Sequence, residues 1–289
     1  MRGRLKNWLL AMKVYRREKP AVFAVYFILR FIVIAALVLA CINGDWDSAF
    51  MCVLVLVLFL IPSLIQNNFP ISFPSTLEII ILLFIFAAEI LGELSDYYVR
   101  YAHWDTLLHT TWGFLCAAVG FSLVDILNRS ENIKFQLSPI YLAICAFCFS
   151  MTIGVVWEFF EFSVDVLFQK DMQKDTIIHA FSSVSLDPTL SNIPIRVENI
   201  TSVAINGQEL GLGGYLDIGL YDTMEDLFVN FIGALTFSII GYFHVKSRGG
   251  SKFASRFIPQ TSDTALRSAA ETESGGDSQE EPCRESDKI

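Results

Sequence analysis

The sequence predicts an all-α, polytopic transmembrane helix bundle with a small β-containing insertion outside the membrane. Three observations lead there. Of 289 residues, 53% are hydrophobic, 25 are Phe, and only 18% are charged, less than a soluble domain of this size carries. Several apolar runs approach 20 residues, the length that crosses a bilayer as a helix. Between the last two runs lies one long polar segment containing Asn206-Gly207 flanked by apolar residues, a hairpin signal.

Six spans follow in order, at 21–42, 49–66, 76–94, 105–127, 139–165 and 224–245. Residues 1–20 are basic, and the apolar run behind them is too long for a signal-peptide core, so the first span is expected to be uncleaved. Span 2 ends near Pro62, and a short uncharged turn leads to span 3. Residues 169–221 form the insertion. Residues 246–289, rich in Ser, Glu and Asp, are expected to be a disordered tail that adds nothing to the stability of the bundle.

Lys and Arg near the span ends set the orientation. They crowd residues 1–20, the 128–138 loop (Arg129, Lys134) and the stretch after span 6 (Lys246, Arg248, Lys252, Arg256), which places both termini in the cytoplasm. The 43–48 loop has Asp45 and Asp47 and no basic residue, and it faces outward with the 95–104 loop and the insertion. The localisation expected is a bacterial cytoplasmic membrane, and the partner is the lipid bilayer rather than nucleic acid. The net charge of −9 carries no further message, because the tail supplies much of it. Of six cysteines, five lie in apolar segments, so no disulfide framework is implied and Cys145/Cys148 read as small apolar helix residues.

In this topology, acids from four spans meet near the outer headgroup level. Asp105 and His109 are spaced i, i+4. Glu158, Glu161 and Asp165 are i, i+3, i+7, and Asp222, Asp226 and Asn230 are i, i+4, i+8. Glu89, Glu93 and Asp96 are i, i+4, i+7. Each set forms a stripe on one helix face. Ionisable groups inside apolar spans are costly and mark function. Carboxylates crowded into a poorly solvated pocket need protons or a cation among them. Their excess of oxygen favours Mg²⁺, Ca²⁺ or Mn²⁺, and a His among them also admits Zn²⁺ or Fe.

The metal-ligating set is Asp105, His109, Glu158, Glu161 and Asp226. The catalytic set is His109, as a proton shuttle oriented by Asp105, with Glu158. Glu89, Glu93, Asp222 and Asn230 are substrate or pathway candidates. Competing readings are plainer. Asp105 and Asp222 also suit helix N-termini, and Asp96 and Asp165 suit solvated ends. Arg30, mid-span, calls for an acidic partner. Gly113, Ala117, Gly120, Gly154, Gly233 and Gly241 are small residues that allow spans 4, 5 and 6 to pack closely.

Leu91-Gly-Glu93, Trp104-Asp105-Thr-Leu-Leu-His109-Thr, Gly113-Phe114, Trp157-Glu158…Glu161-Phe162 and Asp222-Thr-Met…Asp226-Leu…Gly233-Ala234 resemble the YjdF-like family of bacterial inner-membrane proteins, over about residues 60–245. The resemblance implies topology and site residues. More distantly, Asp105, His109, Glu158 or Glu161, Asp226, Asn230 and Gly233 are similar to the pattern of the VanZ-like membrane proteins, which implies a role at the cell envelope. The long insertion and the acidic tail depart from that pattern. Three functions fit the residues. One is a metal-dependent enzyme acting on a lipid or lipid-linked envelope substrate. The second is a cation- or proton-coupled transporter, although no inverted repeat is visible. The third is an envelope scaffold with a structural cation.

Overall fold

The computed structural model describes residues 19–68, 71–128, 137–247 and 251–261. The basic residues 1–18, the centre of the 128–138 loop and residues 262–289 lie outside the described residues. Five helical stretches are long and apolar enough to cross a membrane: Pro20–Asn43, Trp46–Gln66, Trp104–Asn128, Pro139–Phe168 and Leu220–Lys246.

The first helix, α1 (Pro20–Asn43), turns into α2 (Trp46–Leu58), which starts where the Asp45 carboxylate accepts from the Ser48 amide at 3.1 Å. A break at Phe59-Leu60, just before Pro62, separates α2 from α3 (Ile61–Asn68). Proline lacks the amide that would continue the hydrogen-bond ladder.

The expected third span is composite. Helix α4 (Ser75–Ile85) widens into a π-helix (Phe86–Leu94), and Asp96 follows in a left-handed conformation with φ 58°. The π turn and the early helix end undo the expected Glu89/Glu93/Asp96 stripe. Asp96 pairs instead with exposed Arg100 at 2.9 Å, after which α5 (Tyr97–Arg100) leads into α6 (Trp104–Asn128). Val22, Leu29, Val33, Cys52, Val55, Phe59, Leu82 and Ile90 bury the contact between α1, α2 and this composite span.

Arg30 does not find an acid. Its guanidinium lies 4.0 Å over the Tyr26 ring and donates to the Tyr26 hydroxyl at 2.5 Å. Buried Glu78 is taken by Lys19, 3.0 Å away.

The other half of the bundle is α6, α7 (Pro139–Phe168) and α8 (Leu220–Lys246). Their contact is closer than side chains other than hydrogen would allow. A methyl group on Gly113 would run into the Asn230 backbone carbonyl, and one on Gly233 into the Thr110 carbonyl. One on Gly154 would sit 2.6 Å from Asn230 Nδ2. Ser150 of α7 donates to the Gly113 carbonyl at 2.8 Å and secures the third side. Where lipid surrounds a bundle, close backbone approach and buried polar contacts replace the hydrophobic drive as the source of helix association.

The insertion folds as small antiparallel strand pairs. Strand β2 (Ile177–Ile178) pairs with β7 (Tyr215–Leu216), and β3 (Phe181–Ser183) with β4 (Ile195–Val197). Strands β5 (Ala204–Ile205) and β6 (Gln208–Glu209) make the hairpin at Asn206-Gly207. Both turn residues have positive φ, 53° and 80°, the geometry in which Asn and Gly are tolerated best. The Asp187 carboxylate organises the 184–193 turn. Hydrogen bonds from Thr189, Ser191 and Ile193 hold its pKa down at about 2.

The stretch 246–289 is not unstructured throughout. Residues 251–261 return to the bundle. Ala254, Phe257 and Ile258 enter the core formed by Ala117, Phe121, Leu142, Ala146 and Phe237. The Phe257 ring meets Phe114 edge-on at 5.1 Å. Strand β8 (Gln260–Thr261) then pairs with β1 (Ile71–Ser72). An apolar island, Phe253-Ala-Ser-Arg-Phe257-Ile-Pro, sits inside the polar composition and escapes an average taken over forty residues.

Candidate metal centre

Helix α6 carries Asp105 in its first turn and His109 one turn later. The His109 Nε2 atom lies 3.5 Å from Asp105 Oδ1 and 3.7 Å from Asp226 Oδ2 on α8. Helix α7 contributes Glu158 and Glu161 from the opposite side. Two sets of ligand atoms result: Asp105, His109 and Asp226, and Glu158, Glu161 and Asp226. Within each set the atoms lie inside 4.8 Å of one another. The acids are well covered, with Asp226 3%, Glu158 5% and Glu161 7% exposed. Five residues scattered over 122 positions of sequence therefore meet around one buried carboxylate.

One oxygen of Glu161 accepts from the Trp157 indole at 2.9 Å, which fixes the side chain. The second oxygens of Glu158 and Glu161 are buried and accept no hydrogen bond from the protein. A buried carboxylate oxygen without a partner is expensive, so a ligand there is stabilising. Among the described residues, the basic side chain within 4.0 Å of these carboxylates is His109. The arrangement can hold a metal ion.

The remaining sequence candidates fall around this centre in other roles. Asn230, 1% exposed, is wedged against Gly113 and Gly154, and its amide donates to Met151 Sδ at 3.5 Å, so it packs the helices together. Asp222 accepts from the Lys174 amide at 2.9 Å. Asp165 is not simply solvated: it accepts from the Met172 and Gln173 amides at 2.6 and 2.9 Å. Together these two acids pin the start of the insertion over the ends of α7 and α8. Glu89 and Glu93 belong to neither ligand set. The π-helix keeps them on the far side of Tyr98, whose ring packs against Gly92. Within the insertion, the His179 ring contacts the Ile200 carbonyl at 3.0 Å.

Two participants had no clear sequence signal. Gln173 donates to Thr223 at 2.5 Å, and both direct polar atoms toward Glu158. Only the folded loop brings Gln173 there. Tyr98 stands between the acids of the π-helix and those of the bundle. Burial raises its pKa, and the charges of Asp105, Glu93, Glu89 and Glu161 raise it further, so the hydroxyl remains a proton-bearing donor. A tyrosine six residues after a glycine at the end of an acidic apolar run is the only trace of this in the sequence.

No curated protein and no solved structure matches the chain. The family described as Predicted membrane protein (DUF2238) matches residues 25–247, which takes in all five spanning helices from Val25 onward and every residue of the two ligand sets. The chain therefore belongs to this family of predicted membrane proteins.

Proposed function

We propose that this chain is a metal-dependent membrane enzyme with an outward-facing site, acting on a lipid or lipid-linked envelope substrate in a bacterial cytoplasmic membrane. The observation that carries the reading is the pair of overlapping ligand sets with two orphaned, buried glutamate oxygens. Nε2 of His109 points at both neighbouring carboxylates, which suits a ligand and leaves no free nitrogen lone pair for shuttling protons. The proton acceptor is then Glu158, whose surroundings include Gln173 and Thr223.

A divalent cation held here supplies Lewis-acid polarisation of a phosphoryl oxygen and activation of water. Glu158 takes the proton as the water oxygen bonds to phosphorus. It returns that proton to the departing alkoxide as the phosphorus–oxygen bond to the lipid breaks.

A lipid substrate suits the surroundings. Trp157 and Phe160, adjacent to Glu158 and Glu161 on α7, are 36% and 51% exposed, and their rings lie 5.3 Å apart. An acyl chain could run along that aromatic face while its headgroup reached the acids. The likeness to VanZ-like proteins at Asp105, His109, Asp226, Asn230 and Gly233 supports an envelope substrate. Transport is less well supported. Along the bundle from the site, Phe114 packs edge-to-face against both Phe237 and Phe257, ring centres 5.1 Å apart in each pair, and this apolar packing offers a polar solute no partner.

Metal analysis of the purified chain beside Glu158→Gln tests the reading. Wild type should carry stoichiometric divalent metal and lose thermal stability on chelation, and the variant should carry less. A wild type free of metal and indifferent to chelator would sink it. The orientation has its own test. Reporter fusions after residues 46 and 190 should read outside, and those after 134 and 260 inside. An inside signal at 190 would move the site to the cytoplasmic face.

A further inference from the structure

We infer that the centre is dinuclear, with Asp226 as the bridging carboxylate between two unlike cation sites. The inference rests on the metal-binding reading above and goes beyond it in number, placement and selectivity.

Geometry separates the sites. The ligand atoms form two sets that meet only at Asp226, rather than one group of five around a point. In the first set, the His109 Nε2 distances of 3.5 and 3.7 Å approximate the edge of a tetrahedron around an ion with bonds of about 2.1 Å, an edge of roughly 3.4 Å. The second set is all oxygen and comes from the other side, on α7. Paired catalytic ions bridged by a carboxylate stand about 3.5–4 Å apart, a separation that the two oxygens of Asp226 can span.

Charge decides the number. The two sets contain four carboxylates: Asp105, Asp226, Glu158 and Glu161. With all four ionised, one divalent cation leaves two negative charges in a poorly solvated pocket with no Lys or Arg paired to them among the described residues. Two divalent cations bring the site to neutrality. The unpartnered second oxygens of Glu158 and Glu161, on side chains more than nine-tenths buried, are the acceptors that a second ion would fill.

Ligand type makes the two sites unlike. The site with His109 offers nitrogen and suits Zn²⁺ or Mn²⁺. The Glu158/Glu161 site offers oxygen alone and suits Mg²⁺ or Mn²⁺. Mn²⁺ is common to both and paramagnetic, which makes it the probe.

The full chain in detergent is stripped with chelator, reloaded with Mn²⁺ and examined by elemental analysis and electron paramagnetic resonance. Two Mn²⁺ per chain, with a spin-coupled signal, are expected. Glu161→Gln should retain one ion at the histidine site. His109→Ala should retain one at the oxygen site. Both single-ion forms should show an uncoupled six-line spectrum, and Asp226→Asn should fall below one. Circular dichroism and elution volume check that each variant is folded, and the wild-type result stands without them. One Mn²⁺ per wild-type chain, or two without coupling, overturns the shared bridge and leaves a metal enzyme. No Mn²⁺ at all overturns the metal reading itself.

Discussion

Ending the chain before Ser251 will lower the thermal stability of the purified protein by several degrees. The truncation removes Ala254, Phe257 and Ile258 from the core and leaves a gap facing Phe114, Ala117, Phe121 and Phe237. Losing a buried Phe side chain alone costs about 3–5 kcal/mol where the site does not collapse. The pairing of β8 with β1 goes as well, and with it the tie that holds the turn between α3 and α4. Phe257→Ala in the full chain should reproduce most of the loss. Phe253→Ala should cost less, because Phe253 is 54% exposed. Melting curves of the three variants in one detergent make the comparison. A truncated chain that melts with wild type would mean that 251–261 rests on the bundle without stabilising it. Metal content should change little, since the strap lies at the end of the bundle away from Asp105 and Asp226.

Gly233→Ala will part α6 from α8 and, with them, the two halves of the histidine ligand set. The added methyl group would enter the Thr110 carbonyl and lie 2.9 Å from the Phe114 amide nitrogen, both backbone atoms of α6. Overpacking against a side chain that can shift costs about 1–3 kcal/mol. Backbone cannot swing aside, so the cost here should reach or pass the top of that range. The movement must also lengthen the 3.7 Å approach of His109 to Asp226, one helical turn or two from the clash. Folded Gly233→Ala protein should therefore bind Mn²⁺ more weakly even though no ligand has changed. Gly241→Ala is the control. Its methyl group would meet only the edge of the Phe121 ring, at 2.8 Å, and a ring can tilt. Equal stability and metal affinity in Gly233→Ala and wild type would show that the close contact is not needed.

Several features of this chain follow from local sequence because their physics is local. Apolar length alone predicts membrane spans, and five of the six expected ones meet it as continuous helices, the composite third at Ser75–Leu94 being the exception. The hairpin at Asn206-Gly207 needs only two residues that tolerate positive φ. The spacings of Asp105 with His109 and of Glu158 with Glu161 are helical periodicity, which no distant contact can alter while the helices persist. The glycines on three spans announce close packing, because nothing but a hydrogen atom would fit between the backbones.

What the fold alone decided involves partners far apart in sequence. The sequence could divide Asp105, His109, Glu158, Glu161 and Asp226 from Asp222 and Asn230, but only the placing of α8 against α6 and α7 gives each of them its contacts. That placing turns Asp226 toward His109, leaves Asp222 to the Lys174 amide and sends Asn230 between two glycines. All three lie on one face of α8, so periodicity treats them alike, and depth along the helix sets their roles. The π-helix at Phe86–Leu94 has no local cause visible in its residues; it carries Glu89 and Glu93, which belong to neither ligand set. Arg30 pairs with Tyr26, while the acid Glu78 pairs with Lys19 from 59 positions away. Phe257 docks against Phe114, 143 positions away, and joins the core that contains Phe237. Composition averages such a segment into its polar neighbours, whereas burial depends on the surface it meets, and that surface exists only after the bundle has formed.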